Sequence, residues 1–163
     1  MTFTQTNDPT IREHVQAWQA LDVDDQLALF WFIYKEMGSS ITPAAPAAST
    51  VSPEIAEGLF NQVKELSHEE QLQLQRDLIN GVDNQLTREY GSLGETTKLL
   101  FWYQLAQGMD NATIIPVPPS YKLSSEPQEL LNKIKQLGFE EQITLFRDYV
   151  APFGAEPKGG AEI

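Results

Sequence analysis

Two stripes of mainly aromatic side chains are the residues in this chain whose types and spacing could bind a ligand. Positions i, i+3, i+4 and i+7 share one face of a helix, so each stripe presents its rings side by side. The first stripe is Leu27, Phe30, Trp31 and Tyr34, and the second is Leu99, Trp102, Tyr103 and Ala106. Facing stripes could clamp a long, flat, apolar ligand, because Trp and Tyr stack through their faces and hydrogen-bond at their polar ends. The competing interpretation is a plain hydrophobic core, the usual role of aromatics at helical spacing.

Other residues with chemical potential do not form a site in the sequence. His14 and His68 are far apart and have acidic neighbours, which does not indicate a metal or catalytic centre. The acid pairs at 24–25 and 69–70 stand where helices begin, and acids there complement the helix dipole. No glycine-rich phosphate loop, HExxH motif or nucleophile elbow is present. We therefore predict that the protein is not an enzyme.

Composition narrows the function classes further. A chain of 163 residues with 41% hydrophobic content suits one domain, and without cysteine it must be held together by packing. Eleven Lys and Arg against 23 Asp and Glu give a net charge of −12, the wrong sign for nucleic acid or anionic lipid. No signal peptide and no apolar run of about 20 residues is present, so we expect a cytoplasmic protein without a membrane span. We also expect it to be a monomer.

Helical periodicity recurs along the chain and strand alternation does not, which predicts an all-α fold. The predicted helices cover about 10–21, 24–37, 53–66, 67–80, 84–90, 95–110, 126–137 and 139–150. Proline-rich breaks at 39–52 and 111–123 interrupt them. We predict a helical domain over 1–152 and, because the last residues are small, polar and glycine-rich, a flexible tail over 153–163.

A short repeat marks three helix starts. The sequences LDVDDQLAL from Leu21, LSHEEQLQL from Leu66 and LGFEEQITL from Leu137 share a leucine, two acids, a glutamine and an aliphatic pair. Repeated helix capping explains most of this pattern. An aromatic helix also precedes each proline-rich break, so we predict two similar helical halves.

Five long segments together resemble one known family, in order and across nearly the whole chain. They are DDQLALFWFIYKEMG, ITPAAPAA, KLLFWYQLAQGMD, IIPVPPSYKLS and EEQITLFRDYV. They resemble the N-terminal domain of the cyanobacterial orange carotenoid proteins and its stand-alone relatives, the helical carotenoid proteins. The resemblance implies two interleaved helical bundles that hold a keto-carotenoid of the canthaxanthin, echinenone or 3'-hydroxyechinenone type between them.

For function, the resemblance implies cyanobacterial photoprotection, with singlet-oxygen quenching as the leading hypothesis. Direct quenching of phycobilisome excitation and carotenoid transport are alternatives, and a pigment-free helical interaction module is an alternative from a different class. The implied partners are the carotenoid, the thylakoid-bound phycobilisome and a separate carotenoid donor similar to the family's C-terminal domain.

The resemblance also implies site residues. The carotenoid contacts carried over are Leu27, Phe30, Trp31, Tyr34, Leu99, Trp102, Tyr103, Met109, Val117, Tyr121 and Ile143, with Trp102 facing Trp31 across an end ring. Arg147 matches an arginine that contacts the antenna. Three positions depart from the family pattern: Ala47 replaces glycine, and Gln75 and Arg76 replace a Met-Cys pair. Arg76 beside a polyene would need water or an acid such as Asp77 at its head group.

Overall fold

The all-α prediction is confirmed by the computed structural model, which describes residues 9–37, 53–118 and 120–155. Each predicted helix is present within two residues at either end, and the described residues contain no strand. The helices are α1 Pro9–Gln19, α2 Val23–Met37, α3 Pro53–Lys64, α4 His68–Asn80, α5 Gln85–Gly91, α6 Glu95–Asp110, α7 Ser125–Lys135 and α8 Phe139–Val150. Across the described ranges, no helix is both long and apolar enough to cross a membrane.

The helices form two bundles that are not consecutive in sequence. One bundle combines the first and last helix pairs, because α1 packs on α7 and α8 and α2 packs on α7. The other consists of the middle helices, in which α3 packs on α5 and α6 and α4 packs on α5. Contacts of α2 with α4 and α6, and of α6 with α8, join the two bundles. The chain therefore leaves the first bundle after α2 and returns to it at α7, which confirms the interleaved arrangement.

Helix ends follow the local signals in the sequence. Ser67 accepts a hydrogen bond from the Glu70 amide and Glu70 accepts one from the Ser67 amide, the capping box that the sequence predicts at α4. These bonds lower the pKa of the Glu70 carboxyl. Gly81 ends α4 in the left-handed region at φ 71°, a conformation that glycine adopts without steric cost.

The sequence repeat places a buried glutamine near the start of three helices. Gln26, Gln71 and Gln142 occupy the same repeat position and are all buried. Each side-chain amide donates to a carbonyl near the end of the preceding helix: to Leu21 O at 2.9 Å, Val63 O at 3.2 Å and Ile134 O at 3.1 Å, respectively. Val63 O and Ile134 O also accept from the amides of Leu66 and Leu137, so the glutamine adds a second hydrogen bond there and joins two helices. Capping alone, the explanation offered by the sequence, does not account for this residue.

The segment after α8 crosses to the other bundle. Phe153 is only 7% exposed and packs edge-on against Trp102 and Tyr149. The amide of Gly154 donates to Leu78 O at 2.9 Å and that of Ala155 to Thr87 O at 3.0 Å. The predicted tail therefore begins too early, because a single aromatic residue docked into the core anchors 153–155; residues 156–163 lie outside the described residues.

This crossing depends on a close backbone approach at Gly91. A Cβ atom at this position would collide with the Ala155 carbonyl. We expect Gly91→Ala to reduce the free energy of unfolding by about 1–3 kcal/mol because the backbone at 154–155 must shift. Urea denaturation followed by circular dichroism measures this change.

Gly58 offers a matched control on α3. A Cβ there meets no atom within 4 Å, so Gly58→Ala should instead stabilise the protein by about 0.4–1 kcal/mol. Equal effects of the two substitutions would show that helix propensity, and not the contact with Ala155, governs position 91.

Candidate functional site

An apolar groove lies where the two bundles meet. Its walls come from α2, α4, the end of α6 and the second proline-rich loop, and its volume is about 250 Å³. The lining residues are Asp24, Leu27, Ala28, Leu72, Gln75, Arg76, Met109, Ile115, Pro116, Val117, Pro118 and Tyr121. We call this the junction groove. It brings together four of the predicted contacts, namely Leu27, Met109, Val117 and Tyr121.

Acids at the start of α2 hold the polar rim of the junction groove. Arg76 makes a two-pronged ion pair with Asp24, with Nε to Oδ1 at 2.8 Å and Nη2 to Oδ2 at 3.0 Å. The Tyr121 hydroxyl donates to Asp25 at 3.1 Å. These bonds raise the pKa of the Arg76 guanidinium, while burial and then the bond to Asp25 raise that of Tyr121. The rim therefore ties α2 to both α4 and the loop.

The charge of Arg76 is balanced by a residue other than the one suggested by the sequence. Asp77, its chain neighbour, instead accepts hydrogen bonds from Gln73 and Asn84. The Arg76 side chain is 37% exposed, so its head group reaches both an acid and water while its stem lines the groove. This arrangement avoids burying an unpaired charge among the apolar walls of the groove.

Gln71 positions the loop wall of the junction groove. Its Nε2 donates to Thr113 O at 3.2 Å and its Oε1 accepts from the Ile115 amide at 2.8 Å. The same side chain bonds Val63 O and Leu66 O at the end of α3. A single buried amide thus joins two helices to the loop over 113–115, a role that the sequence analysis missed. The repeated glutamine after two acids was the available signal.

A row of three aromatic side chains adjoins the groove along α2. Trp31 stacks on Tyr34 with ring centroids 5.8 Å apart, and Tyr34 meets Tyr103 of α6 edge-on at 5.5 Å. All three rings are partly exposed, and we call them the aromatic row. Trp31 lies one helical turn from Leu27 on the same face of α2. Groove and row therefore form adjacent apolar surfaces between the bundles.

Trp102 does not belong to this row. It is 2% exposed, and its indole nitrogen donates to the Tyr90 hydroxyl at 2.9 Å. The Tyr90 hydroxyl in turn donates to Val150 O at 2.7 Å, and burial raises the pKa of this tyrosine well above its usual value. The ring centroids of Trp102 and Phe30 are 5.6 Å apart, whereas Trp31 stacks on Tyr34. In this structure Trp102 ties α6 to Tyr90 and, through Tyr90, to the end of α8. The expectation that Trp102 faces Trp31 across a ligand ring stays a prediction.

The remaining predicted contacts lie outside the groove and the row. Phe30, Leu99 and Ile143 are partly buried and pack against the core. Arg147 lies partly exposed on α8, a helix that supplies none of the groove-lining residues named above. Ala47 and the first proline-rich break lie outside the described residues. His14 and His68 are on separate helices, and within the described ranges no group of three or more His, Asp or Glu is placed to hold a metal ion.

Sequence comparison relates the chain to carotenoid proteins. Residues 4–156 match the family described as "Orange carotenoid protein, N-terminal". An orange carotenoid-binding domain-containing protein of Nostoc sp. PCC 7120 is 46% identical over 153 residues, which cover 94% of this chain and 88% of that protein. The orange carotenoid-binding protein of Limnospira maxima is 36% identical over 140 residues, and the match spans 86% of this chain but 44% of that longer protein.

Solved structures agree with the sequence relatives. The red carotenoid protein of Anabaena (Nostoc) sp. PCC 7120 binding canthaxanthin is 76% identical, with a TM-score of 0.82 over 91% of this chain and 100% of that chain. A structure of the red carotenoid protein of the same organism with a mixture of carotenoids is 73% identical, with a TM-score of 0.81 and the same coverage. With its interleaved bundles and its match over residues 4–156, the chain belongs to the family of the orange carotenoid protein N-terminal domain.

Proposed function

We propose that this protein binds a keto-carotenoid between its two bundles and acts in cyanobacterial photoprotection, mainly by quenching singlet oxygen. The observation that carries the proposal is the junction groove, an apolar groove that adjoins a row of partly exposed rings. Flat aromatic faces and aliphatic walls are suited to a conjugated apolar ligand. Relatives with 73% and 76% identity that are solved with carotenoid support the same ligand class.

The carotenoid would fit this chain through its own residues. Leu27, Met109 and Val117 would enclose apolar surface in the groove, and Trp31 and Tyr103 would stack against the conjugated chain or an end ring. When bound, the carotenoid supplies the low-lying excited states that accept energy and release it as heat. The protein holds it in place and excludes water from its apolar surface.

The binding test is a visible absorption spectrum of protein purified from cells that make keto-carotenoids. We expect a structured or red-shifted band that co-migrates with the protein at near one pigment per chain. A folded, colourless protein that rejects added carotenoid would favour the pigment-free interaction module instead.

Quenching assays then separate the possible uses of the pigment. The lifetime of singlet-oxygen phosphorescence should shorten with the loaded protein and stay unchanged with the pigment-free protein. Loss of phycobilisome fluorescence would support direct antenna quenching, and loss of that effect in Arg147→Ala would support an antenna contact at this arginine. Rapid transfer of pigment to liposomes, or uptake from a donor similar to the family's C-terminal domain, would support a carrier.

Trp31→Ala should weaken carotenoid retention by about 1–3 kcal/mol because it removes a stacking face. The measurement is pigment occupancy as a function of added carotenoid. Val82→Ala is the control, since Val82 is an exposed hydrophobic residue in the turn after α4. Equal pigment loss in both variants would contradict a carotenoid contact at Trp31.

A further inference from the structure

Gln75 lines the junction groove and carries an unused hydrogen-bond donor. The residue lies on α4, is 1% exposed and lines the groove. Its Nε2 atom is buried without a hydrogen-bond partner among the described residues. Most buried side-chain polar atoms in proteins do have a partner. An orphaned amide in a ligand groove therefore points to a group that the ligand provides.

The other polar side chains of the groove are already engaged. Arg76 is held by Asp24 through two hydrogen bonds at the rim. The hydroxyl hydrogen of Tyr121 is directed to Asp25. Arg76 and Tyr121 are both partly exposed, so they lie where solvent reaches the groove. Gln75 is thus the buried donor that a ligand oxygen would meet within the groove.

The size of the groove favours an end ring at this place. About 250 Å³ lies below the roughly 300–1,000 Å³ typical of a site for a whole drug-sized ligand. The groove therefore has room for one end of a carotenoid, and the oxygen atoms of keto-carotenoids are on their end rings. The conjugated chain carries no acceptor and would leave the amide unsatisfied.

We propose that Gln75 Nε2 donates a hydrogen bond to an oxygen atom on the end ring of the bound carotenoid and so selects oxygenated over hydrocarbon carotenoids. The proposal rests on the carotenoid-binding function proposed above. A ring with a keto or hydroxyl oxygen satisfies the amide. A hydrocarbon ring offers no acceptor and leaves the buried amide unsatisfied, which is unfavourable.

The test compares canthaxanthin with β-carotene in the wild type and in Gln75→Met. Methionine keeps an unbranched side chain of similar length and removes the donor. We expect the affinity for canthaxanthin divided by that for β-carotene to be about tenfold lower in Gln75→Met than in the wild type. Weaker canthaxanthin binding, tighter β-carotene binding or both would produce this change. Gln73→Met is the matched control on the same helix, because Gln73 is exposed and bonds Asp77; its ratio should equal that of the wild type.

A vibrational measurement assigns the bond directly. The carbonyl stretch of bound canthaxanthin should lie at lower frequency in the wild type than in apolar solvent, and Gln75→Met should return it toward the solvent value. This readout responds to the hydrogen bond and not to overall stability. If Gln75→Met does not fold, the wild-type spectrum alone still decides one outcome, since a carbonyl stretch without any shift overturns the proposal.

The failures of the two proposals are distinguishable. If the wild type binds neither carotenoid, the binding function is wrong and this inference falls with it. If the wild type binds carotenoid but the affinity ratio and the carbonyl stretch are the same in Gln75→Met, only the role of Gln75 is overturned.

Discussion

Replacement of Trp102 by alanine is expected to reduce the free energy of unfolding by about 3–5 kcal/mol. The indole is buried, contacts Phe30, Phe101 and Phe153, and donates to the Tyr90 hydroxyl. Its removal leaves a large cavity at the point where α6 meets the segment after α8. Domains of this size are stable by about 5–15 kcal/mol, so the loss is a large fraction of the total. Urea denaturation of the pigment-free protein measures it.

Trp31→Ala is the control for this prediction, because the same side chain is removed from a partly exposed position. We expect Trp31→Ala to lower the free energy of unfolding by less than half as much as Trp102→Ala does. It should reduce pigment occupancy more than Trp102→Ala does. Trp102→Phe keeps a ring but loses the hydrogen bond, and should recover most of the stability. Equal destabilisation by Trp31→Ala and Trp102→Ala would contradict the division into a core tryptophan and a ligand-contacting one.

Gln71→Leu should destabilise the protein by about 2–4 kcal/mol and loosen the loop wall of the junction groove. The substitution removes bonds to Val63 O, Leu66 O and Thr113 O and leaves the Ile115 amide without its acceptor. Each buried group left unsatisfied costs about 1–3 kcal/mol, partly relieved by relaxation toward solvent. Hydrogen exchange at the Ile115 amide should accelerate, and pigment occupancy should fall with it.

Gln142→Leu separates stability from the groove. Gln142 makes the equivalent bond to Ile134 O, on helices that supply none of the named groove-lining residues. This variant should also lose stability, but protection of the Ile115 amide should fall only in line with global stability. If Gln142→Leu exposed Ile115 as strongly as Gln71→Leu, the specific role of Gln71 in the groove would be contradicted.

The rim shows why part of the candidate site was predictable and part was not. Leu27, Met109, Val117 and Tyr121 were identified through a resemblance to long, specific motifs, and the groove brings them together. The partner of Arg76 was not identifiable in this way. Asp77 is its neighbour in sequence, but Asp24, 52 residues away, forms the ion pair. Contacts between helices depend on where bundles pack, and local spacing carries no information about that.

The sequence by itself determined the helices, because capping residues, glycine and proline positions and apolar periodicity act within a few residues of each other. It also determined that two aromatic stripes lie on helix faces. Only the tertiary structure decided that Trp102 is buried in the core while Trp31 stays partly exposed, that the repeated glutamines join helix pairs, and that Phe153 belongs to the packed domain. The physical reason is that burial and buried hydrogen bonding depend on partners distant in sequence, and equal spacing on two helices does not reveal which face meets a neighbour.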